Sequence, residues 1–157
     1  MKNKPSDFEI FWNEKIKKLK PKHLNIKLIK SGNLNYYDLN FESFDKTIIY
    51  GNIIRPSNPN GLSVIAYHGF KGIYRRDFFD ELLQIGYTIY TYEMRDQNGR
   101  TVDLGNHKPV MSRDILDKNN YYILKTFLDS YLFYISVFAK FPDETFNLYG
   151  YSQGGAH

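Results

Sequence analysis

The sequence has no cysteine, a single tryptophan and three methionines. Without cysteine no disulfide can staple the fold, and no thiolate can attack a substrate or hold zinc; this suits a reducing compartment. Long hydrophobic runs are also missing. The most apolar segment, Tyr121–Phe141, is interrupted by Lys125, Asp129 and Lys140. Its uncharged run, Ser130–Ala139, falls well short of the about 20 residues a spanning helix needs. An apolar leader is absent too, because Met1-Lys2-Asn3-Lys4-Pro5 runs straight into charged residues. These absences give the expectation of a soluble, cytoplasmic protein with no membrane partner.

What is present is a globular composition, 42% hydrophobic and 24% charged, in 157 residues, enough for one core. The net charge of +4 is unevenly spread. Residues 1–30 carry nine lysines against Asp7, Glu9 and Glu14, whereas the rest of the chain is slightly acidic. A basic segment of this kind raises nucleic acid or a membrane surface as partners. The plainer reading is a solvated amphipathic helix over residues 7–20, since the lysines alternate with Phe8, Ile10, Phe11, Ile16 and Leu19 at helical spacing. No recognition motif accompanies them, so no nucleic-acid partner is expected.

The elements can be read in order. Leu34–Phe44 and Thr47–Arg55 alternate with strand period and suggest an antiparallel pair. Beyond the turn-rich Pro56–Gly61 the pattern changes. Leu62–Tyr67 and Tyr87–Tyr92 are short apolar runs, as expected of strands buried on both faces, and Thr145–Tyr149 reads as a third apolar strand. Helical stretches, Arg75–Gln84 and Tyr121–Lys140, separate them, with a long polar segment, Glu93–Asn120, between the second strand and the second helix. Strand, helix, strand, helix, strand predicts an α/β fold, a mostly parallel sheet with antiparallel N-terminal strands. Residues 1–33 read as a helical extension and 34–157 as the sheet core of one domain.

The last strand leads into Gly150-Tyr151-Ser152-Gln153-Gly154, a G-x-S-x-G pattern. Chance alone produces it in roughly 4% of chains of this length, so its context must decide. That context is a strand before the serine and small residues after it, as a tight strand-to-turn connection requires. Ser152 is then a candidate nucleophile. The backbone N–H of Gln153 is a candidate oxyanion donor, and a second N–H is expected from the loop His68-Gly69-Phe70, directly after the first buried strand. The alternative is that Ser152 caps a helix. His68 precedes the nucleophile and reads as a loop-shaping residue; His157 reads as an incidental helix residue, and His23 and His107 as surface residues. Arg95, Asp96 and Gln97 follow a strand end, where loops carry function, though a plain turn is the competing reading.

Together these segments resemble the acetyl xylan esterase / cephalosporin-C deacetylase family of α/β-hydrolases. The resemblance rests on "DFEIFWNEKIKKL", "FESFDKTIIYGNIIRP", "AYHGFKG", the long helix in "NNYYILKTFLDSYLFYISVFAKFPDE", and "GYSQGG". The Gln after the serine is more specific than a generic lipase motif. In "YEMRDQNG", Arg95 and Gln97 match the family's Arg-Gly-Gln, while Asp96 replaces its Gly and Glu93 an Asp. Phe70 stands where the family often has Tyr. The resemblance implies a serine esterase that deacetylates small acetylated sugars without metal or organic cofactor, as a homo-oligomer. It assigns Ser152 as nucleophile and Phe70 and Gln153 as N–H donors, with His68, Gly69, Gly150, Gly154, Arg95 and Gln97 shaping the site. The family's triad Asp and His follow the nucleophile, so the resemblance implies that residues 1–157 are an N-terminal portion, inactive alone. Another α/β-hydrolase activity, lipase- or peptidase-like, and an inactive truncated product remain the alternatives.

Overall fold

A computed structural model describes residues 4–72, 76–103 and 110–157, with residues 76 and 77 by backbone only. Six strands form one mixed sheet: β1 (Asn25–Lys30), β2 (Leu34–Glu42), β3 (Ile48–Pro56), β4 (Leu62–Tyr67), β5 (Thr88–Tyr92) and β6 (Thr145–Gly150). Their order is β1-β2-β3-β5-β4-β6. The first three strands run antiparallel to one another, and β3 pairs antiparallel with β5. Only β5, β4 and β6 are mutually parallel. The parallel half expected from the alternation is therefore present, but it makes up two of five pairings. The antiparallel part gains β1 from within the segment 1–33 read as helical. Nothing in β1 alternates cleanly, because as an edge strand it buries neither face: Leu28 and Ile29 are exposed.

The helices are α1 (Phe8–Lys17), α2 (Asp80–Gln84) and α3 (Tyr122–Lys140). A 3-10 turn over Arg76–Phe79 precedes α2, so the expected second helix is half 3-10 and half α. No helix among the described residues is long and apolar enough to cross a membrane.

Strand periodicity divides the core. Ile65 and Tyr67 of β4 and Tyr90 and Tyr92 of β5 point to one face, where Leu132, Phe133 and Val137 of α3 cover them. Val64, Ala66 and Ile89 point to the other face, under Phe79 and Leu83. Both faces of β4 and β5 are thus buried, which explains their continuous apolar sequence. β6 is the outer strand of the described sheet, and Leu148 on it is exposed.

A buried ion pair lies inside this core. Arg95, just after β5, is fully buried. Its Nε donates to Asp129 of α3 at 2.5 Å and its Nη2 to the same carboxylate at 2.9 Å. Asp45 accepts from both terminal nitrogens at 2.6 and 2.9 Å, and Thr47 Oγ1 from Nη1 at 3.1 Å. Ser43 also donates to Asp129. The guanidinium fork therefore ties the end of β5, the β2–β3 turn and the middle of α3 together. Removing Arg95 leaves the Asp129 carboxylate charged and buried, which costs about 3–5 kcal/mol. Arg95→Leu is expected to lower the denaturant midpoint by a corresponding amount, whereas Lys4→Ala, at an exposed pair, is expected to leave it unchanged; equilibrium unfolding of the two variants checks this.

Candidate active site

β4, β5 and β6 run the same way, so their C-terminal ends meet at one edge of the sheet. Three loops leave there: 68–72 after β4, 93–98 after β5, and the turn at Ser152 after β6. In open α/β sheets this edge is where ligands bind.

The turn at Ser152 is made by backbone crowding. Ser152 has φ +54°, a left-handed conformation that costs a non-glycine residue about 1–3 kcal/mol unless its surroundings enforce it. The enforcement comes from its neighbours two residues away. A Cβ on Gly150 would sit 2.2 Å from the carbonyl oxygen of Gly154, and a Cβ on Gly154 would sit 2.2 Å from that of Tyr67. Only glycine fits at either place. Residues Ser152–Ala156 then continue as a 3-10 turn, shorter and tighter than the helix a capping serine would begin. The N-cap position of this turn is held by Tyr151 and not by Ser152.

The loop after β4 packs directly on this turn. A Cβ on Gly69 would lie 3.3 Å from Ser152 Cβ and 3.1 Å from the Tyr151 ring. Residues 69–72 form a turn closed by Gly72 N–H to Gly69 O at 2.8 Å, with Lys71 left-handed at φ +53°. Phe70 is exposed at its tip. The two loops frame a cavity of about 600 Å³ lined by His68, Phe70, Phe78, Tyr149, Tyr151 and Ser152, among others. Its wall is aromatic, and its polar groups are few. Ser152 and the loop 68–70, singled out separately in the sequence, are therefore brought together, with Gln153 beside them.

His68 forms part of this lining. Its Nε2 accepts the Met94 N–H at 3.1 Å, which fixes the remaining proton on Nδ1, 2.7 Å from the Gly69 carbonyl. Both nitrogens are thus spent on the backbone of two site loops. His157 is also turned inward: it stacks on Phe127 at 4.5 Å, and its Nδ1 lies 3.1 Å from Ser130 Oγ. Burial, and then the nearby His68, push its pKa down to about 4. His23 is exposed, and His107 lies outside the described residues.

Gln97 reaches the site and Arg95 does not. Arg95 is consumed by Asp129 and Asp45 below the loop, as described above. Gln97 is buried, with hydrogen bonds to the loop 68–72 and to the Gln153 side chain. Asp96 takes φ +51°, the conformation that a glycine adopts most easily. Its carboxylate pairs with Arg113 at 2.7 Å. Sequence reasoning missed Tyr122 and Asp129. Asp129 left a signal, because an acid in the middle of an apolar helix demands a buried cation. Tyr122 left none, since aromatic residues surround it in the sequence.

The acetyl xylan esterase (AXE1) family model matches residues 1–157, so the chain belongs to that family of esterases. Among solved structures, the acetyl xylan esterase of Paenibacillus sp. R4 aligns with a TM-score of 0.83 at 24% identity, over 98% of this chain and 54% of that one. Acetyl xylan esterase 1 of Thermoanaerobacterium sp. JW/SL YS485 gives 0.81 at 21% identity, over 96% and 52%. A thermostable carboxyl esterase of Bacillus coagulans gives 0.54 at 20%, over 76% and 37%. The fold is that of the α/β-hydrolases, and the chain spans about half the length of the two acetyl xylan esterases. No curated protein matches it.

The His68 tautomer has a consequence for pH. Burial, outweighing the Gly69 hydrogen bond, holds its pKa below the ordinary 6.5. A protonated ring cannot accept from Met94, so the stabilisation is complete above the unfolded value of about 6.5 and is lost as pH falls toward the folded one. Long-range ¹H–¹⁵N spectra of the histidine rings are expected to give an Nδ1-protonated neutral ring that titrates below pH 6.5; a midpoint at or above that value would contradict the assignment.

Proposed function

We propose that the complete protein is a serine carboxylic-ester hydrolase that removes acetyl groups from acetylated sugars. The observation that carries this reading is Ser152: a left-handed serine between two glycines that nothing else could replace, at the C-terminal end of a parallel strand and open to a cavity. Such a turn holds Oγ clear of the sheet. Oγ attacks the acetyl carbonyl, and a histidine takes its proton. The N–H groups of Phe70 and Gln153 receive the negative charge that develops on the carbonyl oxygen. The deacetylated sugar leaves with the proton, and water then releases acetate from the serine. His68 is engaged with Met94 and Gly69, and His157 with the core, so the base and its orienting acid come from chain other than the described residues. In α/β-hydrolases they follow the serine in the order acid, then histidine.

Family membership supports the acetylated-sugar substrate, and the aromatic wall of the cavity offers faces on which a sugar ring can stack. The same wall is what favours a second reading, a lipase-like esterase taking a longer acyl chain. Neither reaction calls for a metal or an organic cofactor. The absence of cysteine supports a cytoplasmic location, and the family resemblance supports a homo-oligomer that acts on small carbohydrates and on neither nucleic acid nor membranes.

Kinetics of the complete enzyme on esters of one leaving group tests the reading. Acetate is expected to turn over faster than octanoate, and Ser152→Ala to lose about 10⁴- to 10⁶-fold. A polypeptide of residues 1–157 alone is expected to be no faster than its own Ser152→Ala variant. A strong octanoate preference would move the assignment to the lipase-like reading.

A further inference from the structure

Two N–H groups can serve one oxygen only if the peptides that carry them are held at a fixed separation. Here they belong to loops more than 80 residues apart in sequence, 68–72 and the turn at Ser152. One side chain bonds to both segments. Gln97 Oε1 accepts the Lys71 N–H at 2.8 Å. Its Nε2 donates one hydrogen to Gln153 Oε1 at 3.1 Å and the other to Tyr122 Oη at 2.7 Å. Tyr122 Oη in turn donates to the Arg95 carbonyl at 2.6 Å. Both hydrogens of the Gln97 amide are used, and its carbonyl faces a group that can only donate, so its orientation is fixed.

The neighbouring residue completes the grip. Asn98 Nδ2 donates to the Lys71 carbonyl at 2.8 Å, so both polar groups of Lys71, a left-handed residue, are held by residues 97 and 98. Gln97 is 1% exposed, and water cannot substitute for it cheaply. Its own support is rigid, because Tyr122 stands on α3 about two turns before Asp129, the partner of Arg95.

We infer that Gln97 is a positioning residue that fixes the loop 68–72 against the turn at Ser152, and so sets the spacing of the Phe70 and Gln153 N–H groups. The inference rests on the reading of Ser152 as the nucleophile. Gln97 touches no reacting atom. Its contribution is to the geometry in which charge on the carbonyl oxygen is met, so its loss lowers turnover and leaves ground-state binding alone.

The test uses the complete enzyme and a small acetate ester, with Gln97→Met, Gln153→Met, the double variant and Ser152→Ala measured in parallel. Methionine preserves length and removes the amide, and Gln153→Met keeps the backbone N–H. A misplacement of about 1 Å is worth up to about 100-fold. Gln97→Met is therefore expected to lower kcat by about 10- to 100-fold with KM unchanged, and the double variant to be no worse than Gln97→Met alone, because the two side chains act through one bond. The inference is overturned if Gln97→Met keeps kcat within about threefold, if KM rises in proportion to the loss, or if the two single effects multiply in the double variant. Should Gln97→Met fail to fold, Gln153→Met decides alone: a fall in kcat at constant KM upholds the inference, and an unchanged kcat overturns it. If Ser152→Ala retains activity, it is the nucleophile assignment that fails, a result separable from the others.

Discussion

Gly154 passes so close to Tyr67 that no side chain can stand between them. The carbonyl of Tyr67 would lie 2.2 Å from any Cβ there, and on the other side of the turn Gly150 and Gly154 exclude a Cβ in the same way. This contact joins the ends of two neighbouring parallel strands, β4 and β6, and leaves the chain one way to leave the sheet. Ser152 is forced into a left-handed conformation, and its exposure to the cavity follows from that. The energetic cost of the strain is offset by the six residue pairs of the β4–β6 ladder beneath it.

Strain gathers at this edge of the molecule. Among the described residues, the left-handed non-glycine positions include Lys71, Asp96, Asn98 and Ser152, all in the three loops that leave the C-terminal ends of β4, β5 and β6. Two polar networks hold these loops in place. The lower one centres on Arg95 and binds β5 to α3 and to the β2–β3 turn. The upper one centres on Gln97 and binds the loop after β4 to the turn after β6. Tyr122 links them, since its hydroxyl bonds to Gln97 on one side and to the Arg95 carbonyl on the other. Burial raises its pKa to about 12, so it stays protonated as that donor.

The sequence revealed the parts that physics writes as pattern. Val64 through Tyr67 and Thr88 through Tyr92 are buried on both faces, and their uninterrupted apolar runs were read as strands with correct neighbours in the chain. The glycines flanking Ser152 were legible because steric exclusion leaves only one residue type. β1 was not legible, because a strand that buries neither face has no reason to alternate. Neither was the antiparallel pairing of β3 with β5, which depends on which strands meet after folding. Arg95 could be singled out but its role could not: whether an arginine after a strand faces a substrate or the core is set by Asp129 and Asp45, 34 residues after it and 50 before it in the sequence.

The central claim is that the left-handed serine after β6 is the group that attacks the ester. Treating the complete enzyme with an alkyl fluorophosphonate, which reacts covalently with an activated serine, and mapping the modified peptide by mass spectrometry tests this directly. The account predicts that phosphonylation falls on Ser152 alone, in step with the loss of esterase activity, and that an acetylated sugar slows both. Loss of activity with Ser152 unmodified, or modification at another residue, would contradict it.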